Sequence, residues 1–338
     1  MTRPIDPVYG KGNRENRSSD LALGRNDPRQ ETIRGRNPWR LVWQRFAANR
    51  IALVCLIIII VGLYITGIFA PLLSPYSPMD QNLSAVEKGP SLAHWLGTDE
   101  LGRDLLSRII WGARTASIVS IIAVSLSTII GVVLGSLAGY LGGWFDTLIM
   151  RVSDILFAFP SLLFVIFIAA TVKPSAVAFV EQMESSWGIR GLARSGIVDY
   201  LVVFSALSVI AWPGMARLIR GQVLSVKRME FVSAAQSVGA STKRIVFRHI
   251  LPNCLSPVLV AVSMGLGGAV MSESVLSYLG VGIQPPNASW GAMIWENREM
   301  WRIHPHLIFI PGGVVAVIIF AFNFIGDGLN DALNPRNR

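Results

Sequence analysis

Long apolar runs alternate with short polar segments along the chain, and six of the runs are long enough to cross a membrane. A helix needs about 20 mostly apolar residues to cross a hydrocarbon core about 30 Å thick. The predicted spans lie near residues 51–71, 116–140, 147–171, 200–218, 253–280 and 306–326. The pattern therefore predicts an all-α, polytopic membrane protein with six transmembrane helices. A tight turn at Gly142-Gly143-Trp144 is predicted between the second and third spans.

Polar segments at the two ends of the chain divide it further. Residues 1–37 nearly lack large apolar side chains and predict a disordered basic tail, because they cannot bury enough surface to offset the entropy of ordering. Residues 38–50 place four apolar side chains on one helical face, which predicts an elbow helix in the membrane interface. We expect residues 51–115 to hold the first span and an extracytoplasmic loop, 116–330 the membrane core, and 331–338 a cytoplasmic tail.

Composition and charge support a membrane protein and indicate its orientation. Apolar residues make up 52% of the chain and charged residues 15%, which excludes an ordinary soluble enzyme. Eleven Lys or Arg residues precede Ile51 and seven lie from Arg217 to Arg248, so both segments are predicted to be cytoplasmic. An even number of spans then places both termini in the cytoplasm. Cys55 and Cys254 lie in or beside apolar runs and indicate neither a disulfide framework nor a metal site.

The polar interlude 219–252 separates the fourth and fifth spans and predicts two short helices joined by a turn. Apolar residues recur at helical spacing ahead of Gly239, which can adopt the left-handed conformation that ends a helix. Ser241 or Thr242 can then cap the second helix, and Pro252 is interpreted as the start of the next apolar helix. A compact helix with an apolar ridge can dock in a groove of another protein and pass the groove's movement to the flanking spans.

Part of this interlude resembles a known motif. Ser233-Ala234-Ala235, then Gly239 and His249-Ile250-Leu251-Pro252, resemble the cytoplasmic coupling motif of ABC importer permeases. Ser233 stands where that family usually has glutamate, which puts a salt bridge from this position to the ATPase in doubt. The alternative interpretation is an ordinary amphipathic loop between spans. The resemblance implies that the ATPase-coupling residues are Glu230, Phe231, Ser233, Ala234, Ala235, Gly239 and Ala240.

Three further runs resemble the dipeptide, oligopeptide and nickel importer permeases, specifically the second of their two pore subunits. They extend from His94 to Asp104, from Ser277 to Gly291 and from Gly326 to Arg336, and they follow the family's order. The resemblance implies the type I importer permease fold, an inner-membrane location and a second permease subunit that forms a heterodimer with this chain. It also implies two cytoplasmic ABC ATPases that bind ATP and Mg, and an extracytoplasmic substrate-binding protein. No cofactor or metal is expected on this chain.

The outer loops hold three candidates for contact with the binding protein: Asp99, Arg103 and Trp290. The alternative, which we favour, is that Asp99 and Arg103 belong to a solvated, salt-bridged loop that braces the outer face, and that Trp290 is an aromatic residue at the membrane interface. Residues 172–199 form a longer connection than the family leads us to expect. They are either an additional receptor contact or an interfacial segment without a binding role.

Ionisable residues inside spans need a partner or a water-filled cavity. Glu273 lies among small residues, and together with Ser272 and Met271 it is a candidate for lining the transport path. The alternative for Glu273 is a structural hydrogen bond to a neighbouring helix. Arg151 and Asp154 are spaced to pair along one helical face, and a structural pair is favoured over an inner gate.

Catalytic motifs for ATP hydrolysis, zinc proteolysis or acyl transfer do not occur in the sequence, which predicts a permease subunit and not an enzyme. The competing hypothesis is a secondary transporter or channel that works without ATP. Such a protein would need inverted repeats or a relay of intramembrane carboxylates, and neither is evident. The cargo stays open among dipeptides, oligopeptides, nickel chelates and related solutes.

Overall fold

A computed structural model describes residues 38–188 and 191–334, which fold into helices joined by loops, without a β-strand in these two ranges. Six of the helices (α2, α3, α5, α6, α8 and α10) are long and apolar enough to cross a membrane, which confirms the predicted all-α fold with six spans. The predicted tail 1–37 lies outside the described residues. The helices are α1 (Pro38–Ala48), α2 (Arg50–Ile68), α3 (Leu105–Leu141), α4 (Gly143–Ala158), α5 (Ser161–Trp187), α6 (Ile197–Val226), α7 (Glu230–Ser237), α8 (Thr242–Tyr278), α9 (Trp290–Glu296) and α10 (His306–Leu333).

Several shorter elements complete the described chain. A four-residue helix covers Ala70–Leu73, and 3₁₀ turns cover Leu83–Ala85, Ala193–Ser195, Leu251–Cys254 and Arg298–Arg302. Two of the long helices contain wider π-helical segments, Ile58–Ile65 in α2 and Ile245–Ile250 in α8.

The path of α8 refines the interpretation of Pro252. This proline lies in the first turn of the 3₁₀ segment Leu251–Cys254, as predicted, but that segment directly follows the π-helical one, so α8 as a whole begins earlier, at Thr242. Proline has no amide hydrogen to donate. The side chain of Asn253 donates instead to the carbonyl of His249, at 2.6 Å. The change in helical pitch therefore accommodates Pro252 inside the helix.

Helix ends extend beyond several predicted spans. Helix α3 begins at Leu105 because the carboxylate of Asp104 accepts the backbone N–H of Ser107 at 2.8 Å, so the predicted boundary at residue 115 is too late. Helices α6 and α8 reduce the predicted loop 219–252 to residues 227–241. Helix α10 continues to Leu333, which makes the start of the predicted tail 331–338 helical. The length of an apolar run indicates only how much of a helix lies in the lipid core. The helix itself can continue beyond the lipid where other parts of the protein pack against it.

The predicted third span, 147–171, was wrong as a single helix. It falls on α4 and α5, which are separated at Phe159 and Pro160, where Phe159 is extended (φ −87°, ψ 138°). Helix α5 then continues to Trp187. Most of the long connection 172–199 is therefore helix. An ion pair between Lys173 Nζ on α5 and Asp199 Oδ1 on α6, at 2.6 Å, joins the two ends of this connection.

Helices α3 and α6 lie side by side in the same direction and form the centre of the fold. Near their first residues the hydroxyls of Thr115 and Tyr200 are 2.9 Å apart. Near their last residues a Cβ added at Gly139 would lie 2.9 Å from Cβ of Val223, which leaves room only for glycine. Small residues permit this close approach of two helices in a membrane. The contact holds α3 and α6 together over most of their length.

Candidate functional site

Helix α7 is held from inside by apolar packing. Val232 is fully buried, and Ala235 packs beside it against the cluster that includes Val226 and Ile250. Gly239 follows with a φ of +82°, the left-handed conformation that the sequence predicted for the end of this helix. Ser241 then caps the next helix by accepting the N–H of Arg244 at 3.4 Å. The helix is therefore a fixed projection between α6 and α8.

The opposite side of α7 is open to solvent. Phe231 is 40% exposed and Val238 is 89% exposed, although neither contributes a charge to attract water. Glu230, Ser233, Ala234 and Gly239 are also exposed, whereas Ala235 and Ala240 are half-buried against the core. The predicted coupling residues thus divide into an outward-facing set and a supporting set. Val238 was missed by the sequence prediction, and its apolar character at the helix end was the available signal.

Asp99, Arg103 and Trp290 lie in the interior of the described chain, which corrects their prediction as residues facing a receptor. Asp99 is 0% exposed, Arg103 3% and Trp290 1%. The favoured alternative of a salt-bridged loop agrees with the ion pairs of Asp99 and Arg103, but these two side chains are buried and not solvated. The indole N–H of Trp290 donates to the carbonyl of Ile109 at 3.0 Å, and its ring fills the space left by the missing side chain of Gly112.

Four charged side chains, Asp99, Arg103, Arg108 and Glu296, form a network of ion pairs. We call it the outer ion network because Asp99 and Arg103 belong to the predicted extracytoplasmic loop. Asp99 Oδ2 accepts Nε of Arg103 at 2.7 Å and Nη1 of Arg108 at 2.5 Å. Glu296 Oε2 accepts the other nitrogens of the same two arginines, at 2.8 and 2.7 Å. The two carboxylates balance the two guanidinium groups. The network joins the first outer loop to α3 and α9.

Sequence analysis missed half of this network. Arg108 lies near the predicted loop motif, but Glu296 is 193 residues from Arg103 and no local spacing relates them. Glu100 lies beside the network and points outward. Partial burial and the nearby carboxylates of Glu296 and Asp99 raise the pKa of Glu100 above its usual value.

Glu273 is buried in the described fold and does not face an open surface of this chain. Its Oε1 accepts the hydroxyl groups of Ser277 and Ser289, each at 2.8 Å. Ser277 Oγ in turn accepts the backbone N–H of Ile283 at 3.0 Å. These bonds hold the segment after α8 against the end of that helix. The geometry supports the structural alternative for Glu273, with serines as partners.

The other two path candidates are accessible. Met271 is 48% exposed and Ser272 is half-buried. Both line a cavity of about 270 Å³ between α5, α6 and α8, and Met271 also borders one of about 510 Å³ beside α10. Met271 and Ser272 therefore face a concave surface, whereas the side chain of Glu273 points into the interior of the described chain.

The predicted pair of Arg151 with Asp154 is replaced by pairs between helices. Asp154 Oδ1 accepts Nη2 of Arg217 on α6 at 2.6 Å. One turn further along α6, Arg220 donates to both carboxylate oxygens of Asp146, at 2.5 and 2.7 Å. Spacing within one helix suggested the wrong partner because it carries no information about the neighbouring helix.

Six apolar helices with a short, exposed helix between the fourth and fifth are the arrangement of a type I ABC importer permease. Comparisons with known proteins agree. Residues 131–338 match the family described as binding-protein-dependent transport system inner membrane component, and residues 37–90 match the N-terminal TM domain of oligopeptide transport permease C. The chain belongs to this family of inner membrane permease components.

Curated relatives are similar along almost the whole chain. The oligopeptide transport system permease protein OppC of Bacillus subtilis is 38% identical over 300 residues, which are 89% of this chain and 90% of the relative. The dipeptide transport system permease protein DppC of Alkalihalophilus pseudofirmus is 37% identical over 91% of this chain and 93% of its own. The glutathione transport system permease protein GsiD of Pectobacterium atrosepticum is 38% identical, over 89% and 92% respectively.

Proposed function

We propose that this chain forms one half of the pore of an ABC importer for peptides or peptide-like solutes. A second permease subunit completes the heterodimer, two cytoplasmic ATPases bind ATP and Mg, and an extracytoplasmic binding protein delivers the solute. Both termini and α7 lie on the cytoplasmic side. The relatives named for oligopeptide, dipeptide and glutathione transport support a peptide-like cargo.

The observation that carries the coupling role is the exposure of apolar side chains on a helix that is supported from behind. Phe231 and Val238 face outward while Val232 anchors α7 in the core. Exposed apolar groups on a rigid helix are suited to a groove on a partner protein. Binding of ATP closes the ATPase pair, the groove moves α7, and α6 and α8 follow because α7 lies between them. This chain contributes geometry to transport, and its partners contribute ATP hydrolysis.

Substitution of Val238 tests this coupling. We expect Val238→Glu to abolish ATP-driven uptake by the complete importer in proteoliposomes, because it places a charge in an apolar contact with the ATPase. Since the Val238 side chain has almost no contacts within the chain, insertion and thermal stability should not change. Val238→Ala is the matched control and should retain most uptake. Normal transport by Val238→Glu would refute the coupling role of α7.

The cargo is tested with three labelled solutes: dialanine, hexaalanine and glutathione. We expect ATP-dependent accumulation of at least one of them when the cognate binding protein is present. Accumulation without ATP or without ATPase subunits would favour a secondary transporter or channel. Failure of all three solutes, with intact ATP hydrolysis, would refute a peptide-like cargo.

A further inference from the structure

Three cationic side chains lie on one side of the last part of α6 and its C-cap residue, and we name Arg217, Arg220 and Lys227 the cationic stripe. Separations of three and seven residues bring them to the same side of a helix. Each binds the segment formed by the end of α3 and by α4. Lys227 Nζ donates to the carbonyl of Tyr140 at 2.6 Å, while Arg217 and Arg220 bind the two aspartates of α4 described above.

The neighbouring side of α6 is packed on α3, and its end is continuous with α7. The close approach at Gly139 and Val223 keeps α3 and α6 from sliding past each other. Only residues 227–229 separate α6 from α7. These residues are hydrogen-bonded, with the N–H of Met229 donating to Val226 at 3.0 Å and the N–H of Val232 donating to Met229 at 3.0 Å. A displacement of α7 is therefore delivered directly to α6.

Helix α4 can follow this displacement independently of α5. The extended backbone at Phe159 interrupts the helical hydrogen bonds between the two helices. Helix α5 is packed on the outer half of α6, where Val165 and Ala169 lie in clusters with Val203 and Val202 respectively. Helix α4 is bound to the inner half of α6 by the pairs to Asp146 and Asp154. Helices α4 and α5 are thus attached to different parts of α6.

We propose that Arg220, through its two-point bond to Asp146, is a positioning residue that passes the displacement of α7 to α4, and that the chain bends between α4 and α5 at Phe159-Pro160. The proposal rests on the proposed function and identifies the element that receives the movement. A guanidinium that binds both oxygens of a carboxylate fixes the orientation as well as the distance. Both side chains are partly exposed, so the pair contributes little to the free energy of unfolding. Its main effect is to fix how α4 is oriented relative to α6.

The first test measures the number of solute molecules imported per ATP hydrolysed by the complete importer in proteoliposomes. The solute is whichever of the three labelled compounds the unmodified importer accumulates. We expect Arg220→Ala and the nearly isosteric Asp146→Asn to lower this ratio by at least about fivefold, the lower end of typical coupling between sites. Arg220→Lys should restore part of the ratio, and the exchange Arg220→Asp with Asp146→Arg should restore more than either single change.

A matched control is Arg298→Ala, which removes an exposed arginine from a pair with Glu299 at 3.0 Å outside the stripe. It should leave the ratio unchanged. If Arg220→Ala prevents assembly of the importer, Asp146→Asn decides the question. An unchanged ratio, with uptake and ATP hydrolysis falling together, would show that the pair only supports folding and would overturn the proposal.

The second test measures movement without a transported solute. Spin labels replace Ile155 on α4 and Phe167 on α5, both well exposed, in a background with Cys55 and Cys254 changed to Ala. We expect nucleotide binding to change the distance between the labels, and Arg220→Ala to remove the change. A distance that does not respond in the otherwise unmodified importer would overturn the proposal, while loss of uptake in Val238→Glu would still support the coupling role of α7.

Discussion

The two ends of this permease, which the sequence predicts to be its outer and inner ends, use charged residues in opposite ways. At the outer end, two carboxylates and two guanidinium groups share four bonds, and the arginines are 3% exposed. At the inner end, Asp146 and Asp154 each bind one arginine, and the four side chains are 24% to 56% exposed. Buried charges are costly to separate, whereas exposed pairs are screened by water and can break and re-form. The outer end is built as a fixed frame and the inner end as a part that can move.

The largest expected effect comes from removing one carboxylate of the outer ion network. Asp99→Ala leaves two buried guanidinium groups with only Glu296 as a carboxylate partner. It also removes the acceptor of the backbone N–H groups of Leu101 and Arg103, which donate to Asp99 Oδ1 at 2.9 Å. We expect a loss of about 3–5 kcal/mol in the free energy of unfolding. Thermal unfolding in detergent, followed by size-exclusion fluorescence, measures the change.

The matched substitution at the inner end is Asp154→Ala, which also removes a carboxylate from an arginine. Because that pair is exposed, we expect a loss of about 0–1 kcal/mol. Equal destabilisation by Asp99→Ala and Asp154→Ala would contradict the distinction between a fixed frame and a movable end.

An intermediate effect is expected at Glu273, which extends the fixed frame to the segment after α8. Glu273→Ala leaves the hydroxyls of Ser277 and Ser289 without their acceptor and should cost about 1–3 kcal/mol. Glu273→Gln keeps an oxygen acceptor without the charge, so it should retain most stability and uptake. Thermal unfolding and peptide uptake are measured on both variants. A well-folded Glu273→Gln protein without uptake would indicate that the charge itself acts in transport.

The smallest effect concerns Glu100, at the edge of the outer ion network. Its raised pKa means that the folded protein binds this proton more tightly than the unfolded chain does. The favourable contribution of protonation is therefore present below the ordinary carboxyl pKa and is lost as pH rises through the raised value. We expect Glu100→Gln to raise the unfolding temperature slightly at pH 7 and to lose this advantage in acid. A pH series of thermal unfolding curves for both proteins measures it, and a constant difference across the series would contradict the assignment.

Sequence patterns were sufficient for the features that depend on local chemistry. Six spans follow from the length of apolar runs, because a lipid core excludes unpaired backbone groups and so requires continuous helices. The turn at Gly239 follows from the unique tolerance of glycine for a positive φ. A hydroxyl cap at Ser241 or Thr242 follows from the position of the two short side chains, and the structure has Ser241 in that role. The resemblance of residues 233–252 to a coupling motif was visible for a similar reason, since all of its residues lie in one continuous stretch of the sequence.

Only the tertiary structure decided which charged residues meet and which face solvent. Asp99 was predicted at the surface and is buried, because the arginines that it binds are also bound by Glu296, from a segment nearly two hundred residues away. Asp154 was assigned to Arg151 on its own helix and binds Arg217 on another. The break at Phe159 lies within an apolar run that reads as one span. Hydrophobic periodicity and composition describe one helix at a time. The ion-pair partner of a charged side chain depends instead on how separate helices pack against each other. The sequence by itself therefore determined the class of protein and the short helix between its fourth and fifth spans, and the packing of helices decided how its two ends differ.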